Sequence, residues 1–338
     1  MRYLVTGSAG FIGSHVTRKL LDQGDEVIGI DSFNDFYDPS LKRLRVRGLS
    51  CSNRYKQLEI NLNNVNELNV VFKDYKPEIV IHLAAQAGAR IDFQDYDKYF
   101  ENNIKAFYSI ASLSVKRGVR NFVYASSSSV YGNTKQIPFT ESDKDIAPIN
   151  FYGSTKLINE IMIKNIISES NTRARGLRFF TVYGPSGRPD MAYFRLINSA
   201  INREKFTLLG NGKIKRDFTY IEDVVDNTLM LANQLNSYSN GYCDVVNIGG
   251  GNPHSILELI TSIERILDVK INIVYEPKSH EDSEITNCDN RKMFDLIGKR
   301  EFTLLDEGLE TTIDWFKLNN ENQQLKNWVY SSKKYIYG

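Results

Sequence analysis

Short apolar runs alternate with longer stretches of three- and four-residue apolar periodicity from the first residue to about position 178. Runs at 3–5, 26–30, 55–60, 79–83, 121–125 and 176–180 predict six strands, because a strand covered on both faces reads as continuously apolar. The third run is the most polar and is expected to show one face to solvent. Between the runs, 11–23, 65–75, 96–117 and 154–169 place apolar residues on one helical face and predict crossover helices. Strand and helix in strict alternation specify a doubly wound parallel sheet. After Gly184-Pro185-Ser186-Gly187 the rhythm loosens, with helices predicted over 192–202 and 255–267 among scattered strands. The expected organisation is α/β: a doubly wound part at 1–180, and a smaller C-terminal α/β part at 181–338, some of whose segments return to the first. No internal repeat interrupts this pattern, so the two parts are expected to pack around one cleft.

Composition narrows the function classes. A chain of 338 residues with 41% hydrophobic positions can build a large core. Its net charge of +1 supplies no global field toward nucleic acid or an anionic membrane, so any phosphate binding must be local. Cys51, Cys243 and Cys288 form no C-x-x-C pair, and His15, His82, His254 and His280 show no ligand spacing; neither a metal site nor structural disulfides are expected. The N-terminus lacks a leader-like apolar segment and nowhere do 18 apolar residues follow one another, which predicts a soluble, cytoplasmic protein.

The chemistry begins at the first strand. It runs into Gly7-Ser8-Ala9-Gly10-Phe11-Ile12-Gly13, glycines at G-x-x-G-x-x-G spacing opening a helix. Gly7 allows the tight turn, Gly10 admits a pyrophosphate to the backbone, and Gly13 lets helix and strand approach, with the amides at Phe11 and Ile12 facing the anion. In that strand–turn–helix order the motif specifies a dinucleotide-binding (Rossmann) fold. Asp31 closes the second strand, where a carboxylate accepts from the adenosine ribose hydroxyls, with Asn34 beside it. No basic residue occurs in 31–38, which favours NAD over NADP.

A phenol acting as acid and base needs a nearby ammonium, and a four-residue helical step puts both on one face. Three Tyr-x-x-x-Lys pairs occur: Tyr131/Lys135, Tyr152/Lys156 and Tyr330/Lys334. Only Tyr152 and Lys156 open an amphipathic helix after the fifth strand; Tyr131 precedes a polar loop and Tyr330 lies in a polar tail. The fifth strand ends in Ser126, Ser127, Ser128 and Ser129, at the carboxyl edge where doubly wound sheets bind ligands, so one of these hydroxyls is expected to meet substrate. No Asp-Glu pair stands there to serve a dehydratase.

Together TGSAGFIGSH, LAAQAGAR, YASSSSVYG, YGSTK, LRFFTVYGPSGRPDMAYF and RDFTYIEDVV resemble the extended short-chain dehydrogenase/reductase family, and within it the UDP-glucuronate 4-epimerases. The resemblance implies an NAD-dependent UDP-hexose 4-epimerase, in which Ser127 with Tyr152 and Lys156 is catalytic. It implies that Asn61, Leu62, Leu83, Ala84, Ala85, Gln86, Asn103 and Phe179 join the cofactor site. It implies a UDP-sugar held by Arg90, Ser128, Ser129, Thr181 and Arg188, with Tyr183 also on the substrate side, Arg216 on the diphosphate and Asp282 on the uridine ribose. A homodimer is implied, with neither nucleic acid nor membrane as partner. UDP-glucuronate is the first expected substrate, by a fork of Thr181 and Arg188 on its carboxylate. UDP-N-acetylglucosamine or UDP-glucose is the alternative; a UDP-sugar decarboxylase, a dehydratase, or a non-catalytic NAD sensor are rivals of other classes. Three positions depart from the family pattern: Asn61 for an aspartate, Glu281 for a glycine, and Ser186 for a tryptophan, the last predicting a larger pocket. Thr286 is small where galactose-type enzymes carry an aromatic.

Overall fold

The computed structural model describes residues 1–88, 92–277, 283–320 and 328. Seven parallel strands form the main sheet: β1 (Arg2–Thr6), β2 (Glu26–Asp31), β3 (Tyr55–Glu59), β4 (Ile79–His82), β5 (Asn121–Ser127), β6 (Arg173–Phe179) and β10 (Cys243–Ile248), in the order β10-β6-β5-β4-β1-β2-β3. Side chains leave a strand on alternate faces, and both faces are covered. Tyr3 and Val5 of β1 belong to a core with Phe11, Val16 and Leu20 of α1 (Phe11–Asp22). Leu4 between them belongs to a second core, reached by α3 (Val65–Tyr75), α5 (Ala106–Lys116) and α6 (Phe151–Ile167). This explains why the strands read as apolar runs rather than alternations.

The structure differs from the sequence expectation in three places. Residues 39–47 form α2 (Pro39–Arg47), which the apolar pattern does not reveal because the helix is rich in basic residues. Its start has a clear physical cause: Asp38 accepts from the amide of Ser40 and Pro39 sits in the first turn. The expected helix over 96–117 is broken into α4 (Tyr96–Tyr99), a π-helical stretch Phe100–Lys105, and α5. A π turn inserts a residue and re-aims side chains; here Asn102 faces the cleft, whereas Asn103 is buried behind it. Finally, β10 extends the sheet to a seventh strand, in parallel register with β6 (Val246 opposite Leu177).

Beyond β6 the chain turns away from the main sheet. The strands β7 (Thr181–Tyr183), β9 (Lys215–Tyr220) and β11 (Pro253–Ser255) make a small second sheet, and β8 (Lys205–Leu209) pairs with β12 (Asn272–Glu276). The helices α7 (Ala192–Asn202), α8 (Ile221–Gln234) and α9 (Ile256–Leu267) pack in this region, and Val224 and Val225 of α8 share the core of α1. One cavity opens between the carboxyl ends of the main strands and this second region, where doubly wound folds take ligands.

Candidate active site

The first wall of the cavity is the glycine turn. Gly7 has φ +70°, the left-handed region in which a side chain is strained, and a Cβ there would lie 2.7 Å from the Ala84 nitrogen. A Cβ on Gly13 would fall 2.1 Å from the carbonyl oxygen of Gly7. Gly7, Gly10, Phe11, Ile12 and Gly13 all line the cavity. Gly10 caps α1 with no side-chain bond, so the first-turn amides are left for an anion, assisted by the helix dipole.

Asp31 and Asn34 lie farther along this wall. The Asp31 carboxylate accepts from the Phe33 amide at 2.8 Å and from Lys42 Nζ at 3.4 Å, while Lys42 also donates to Asn34 Oδ1 at 2.7 Å. Thus a basic residue does stand beside Asp31, contributed by α2 from outside 31–38. Its charge is shared between two acceptors, and Asp31 remains on the cavity wall. Asn61 and Leu62 complete this end, with Asn61 Oδ1 accepting from the Asn63 amide at 2.9 Å.

Leu83, Ala84, Ala85 and Gln86 continue the wall. Asn103 stands behind them rather than on the cavity: its Oδ1 accepts from the Gln86 amide at 2.7 Å, and its Nδ2 donates to the Gln86 carbonyl at 3.0 Å and to Thr155 at 3.1 Å. It fixes the turn because the π stretch directs it inward. Arg90 and Asp282, and the departure at Glu281, lie outside the described residues.

Ser127, Ser128, Ser129, Tyr152, Lys156 and Phe179 line the same cavity. Asn150 caps α6 by accepting from the Gly153 amide at 2.8 Å, which sets the first turn that carries Tyr152. Lys156 is buried, donates to the Ala125 carbonyl at 3.0 Å, and has its Nζ 5.6 Å from the centre of the Tyr152 ring. Burial lowers its ammonium pKa to about 8. Burial raises the Tyr152 phenol above its usual value, opposed by the Arg188 guanidinium and by a hydrogen bond with Ser127. The Tyr131/Lys135 pair is not built this way: Tyr131 is fully buried and donates to Asn247 at 2.7 Å, and Tyr330 and Lys334 lie outside the described residues.

The serines divide their work. Ser126 lines the cavity too, but its hydroxyl donates to Glu160 at 2.5 Å, and Glu160 accepts from Arg178 Nε at 2.9 Å and Nη2 at 2.8 Å. All three are buried. This network ties β5, α6 and β6 together directly behind Ser127, Lys156 and Phe179. Ser127 Oγ accepts from the Ser129 amide at 3.1 Å.

Thr181 and Arg188 line the second region's side of the cavity, together with Asp190, and Arg216 lines it farther along. Arg188 Nε lies 3.0 Å from Asp190 Oδ1, a pairing the sequence pattern did not suggest. Arg216 Nη1 donates to the carbonyls of Lys215 and Ser283, both at 2.9 Å. Its neighbour Asp217 is fully buried and accepts from the amides of Gly250, Gly251 and Cys288. Two expectations are corrected here. Tyr183 does not flank the substrate side: it is fully buried, in edge contact with Tyr193 and Tyr220. Ser186 does not line the cavity, because the chain turns there at φ +59° with its carbonyl toward Arg45. The serine side chain is therefore not part of the cavity wall.

Residues 3–249 match the family of NAD dependent epimerases and dehydratases, and the chain belongs to that family. It is 36% identical to a UDP-glucuronate 4-epimerase of Thermodesulfobacterium geofontis, over 94% of this chain and 97% of the relative. It superposes with a TM-score of 0.86 on the crystal structure of UDP-glucuronic acid 4-epimerase from Bacillus cereus in complex with UDP-glucuronic acid and NAD, at 32% identity and covering 94% and 99% of the two chains. A TM-score of 0.83 at 31% identity, over 95% and 100%, relates it to MoeE5 in complex with UDP-glucose and NAD.

Proposed function

We propose that this protein is an NAD-dependent UDP-glucuronate 4-epimerase, which inverts the hydroxyl at sugar carbon 4 by transient oxidation to the ketone. The observation that carries the reading is one cavity lined both by the Ser127–Tyr152–Lys156 set and by Thr181 and Arg188. The glycine turn fits the pyrophosphate of NAD, since side chains at Gly7 and Gly13 would collide with backbone, and Asp31 fits its ribose. NAD supplies a reversible hydride acceptor, so the sugar ends at its starting oxidation level. Tyr152 as phenolate takes the proton of the 4-hydroxyl, Ser127 holds that oxygen, and Lys156 stabilises the phenolate. After the ketosugar has turned over, hydride would return from the cofactor to the opposite face of carbon 4 while Tyr152 gives a proton back to the oxygen, which completes the inversion. The main sheet serves the cofactor and the region after β6 the sugar nucleotide, with Arg216 on the diphosphate.

Arg188 is expected to select the sugar carboxylate by a charge-assisted fork shared with Thr181. Arg188→Ala should lower kcat/KM for UDP-glucuronate about ten- to a hundredfold, the loss of a charged hydrogen-bond partner. The same variant should change kcat/KM for UDP-glucose and UDP-N-acetylglucosamine much less. Equal losses on all three sugars, measured by separating products from a substrate panel, would contradict the carboxylate assignment.

The pH profile tests the proton path. Below about 8 the pair holds two protons, one on the phenol and one on Lys156. As pH rises one is lost from the pair as a whole, and the phenolate form becomes available. Turnover should therefore rise with pH through a limb near or below about 8. Lys156→Ala should move that limb upward, toward the buried phenol's own range; a limb unmoved by the substitution would contradict the assignment.

The enzyme acts as a homodimer through α5 and α6. Tyr108 of α5 and Ile158 and Ile161 of α6 are exposed by 55%, 41% and 57%, and Phe100 of the preceding π-helical stretch by 51%, an unusual amount of apolar surface for neighbouring helices. Its compartment is the cytoplasm, which suits three cysteines that are all free thiols.

A further inference from the structure

Arg45 of α2 belongs to no catalytic or ligand-binding motif, yet it joins the two walls of the cleft. Its Nη1 donates to the carbonyl of Ala9, inside the glycine turn, at 3.1 Å and to the Tyr37 hydroxyl at 2.5 Å. Its Nε donates to the carbonyl of Ser186 at 2.9 Å and its Nη2 to the carbonyl of Gly187 at 2.8 Å. The side chain is 6% exposed. Ser186 has φ +59°, a conformation a serine keeps only when its surroundings impose it, and the next residue but one is Arg188. Neither Ser186 nor Gly187 lines the cavity, so these residues can sense a ligand on the glycine turn only through what holds them.

We propose that Arg45 is a positioning residue that couples occupancy of the glycine turn to the order of residues 184–188, so that NAD binding prepares the loop presenting Arg188 to the sugar. A rigid guanidinium can hold three carbonyls of two segments in one plane, which a lysine ammonium on a flexible stem cannot. Fixing the Ala9 carbonyl beneath a bound pyrophosphate fixes the plane of Arg45, and that plane sets the Ser186 and Gly187 carbonyls. Coupling of this kind is reciprocal: a ligand on Arg188 tightens NAD binding by the same factor. The proposal rests on the reading that NAD occupies the glycine turn.

Backbone hydrogen exchange on the full-length chain, freed of NAD and then reloaded, separates the two ideas. In the wild type NAD should slow exchange both at 7–13 and at 184–187, the latter by at least about fivefold, the low end of ordinary coupling. In Arg45→Met slowing should persist at 7–13 and fall below about twofold at 184–187, with Arg45→Lys intermediate and serving alone if the methionine variant does not fold. NAD protection at 184–187 that is absent from the wild type, or equal in wild type and variants, would overturn the coupling while leaving the cofactor site in place. Lack of slowing at 7–13 in the wild type would overturn the cofactor placement and the coupling with it.

Discussion

Tyr152→Phe is expected to lower kcat by about 10²–10⁴-fold, the usual contribution of a positioned acid–base group, with little change in folding or in NAD affinity. The phenol hydrogen-bonds Ser127 on the cavity wall, and its ring packs edge-on to Tyr99 with centroids 6.4 Å apart. Phenylalanine keeps that packing and removes only the hydroxyl. Because the proton is transferred in the reacting complex and not on binding, the loss should fall in kcat more than in KM. Steady-state rates and NAD titration on the same preparation check both halves. A variant retaining a tenth or more of wild-type turnover would remove Tyr152 from the proton path.

Glu160→Ala is expected to reduce the unfolding free energy by about 3–5 kcal/mol, the cost of leaving a buried charge without its partner. The Glu160 and Arg178 side chains are 5% and 3% exposed, and Arg178 Nη1 has no hydrogen-bond partner among the described residues. Glu160 is the carboxylate that hydrogen-bonds the guanidinium, which also lies over the face of Tyr131, 4.8 Å from the ring centre. Replacing both members by methionine should recover much of the loss, since a buried pair need not be more stable than apolar groups of similar size. Denaturant unfolding of the single and double variants measures both. A single-variant loss below about 1 kcal/mol, the size of a surface pair, would contradict the dependence. The substitution should also depress turnover, because Glu160 also accepts from Ser126 of β5, next to Ser127, and sits on the helix that carries Lys156.

How much of this was legible in the sequence follows from where each signal lives. The strands β1, β2, β4, β5 and β6 were readable because burial on both faces leaves uninterrupted apolar runs. The glycine turn and Asp31 were readable because their chemistry is confined to contiguous residues. Tyr152 was distinguished from Tyr131 and Tyr330 by the element that carries it. The helix α2 was not read from periodicity, although Asp38-Pro39 is a helix-start signal, and with it Lys42 and Arg45 were missed. Lys42 meets Asp31 from 11 positions away, and Arg45 meets Ser186 from 141 positions away; no local pattern encodes such partners. The π stretch that turns Asn103 inward likewise has no signature in apolar spacing. That Ser186 stays off the cavity wall was not legible either, because backbone direction, not residue type, decides which side chains reach it.

The central claim is redox-neutral inversion at carbon 4, and one measurement addresses it most directly. The pure protein is incubated with UDP-glucuronate and NAD far below the sugar concentration, the products are separated and weighed by mass spectrometry, and NADH is followed by absorbance. The account predicts conversion to the 4-epimer, UDP-galacturonate, of unchanged mass, through many turnovers per NAD and with no NADH accumulating. A product lighter by carbon dioxide or water, or NADH formed in step with product, would contradict it.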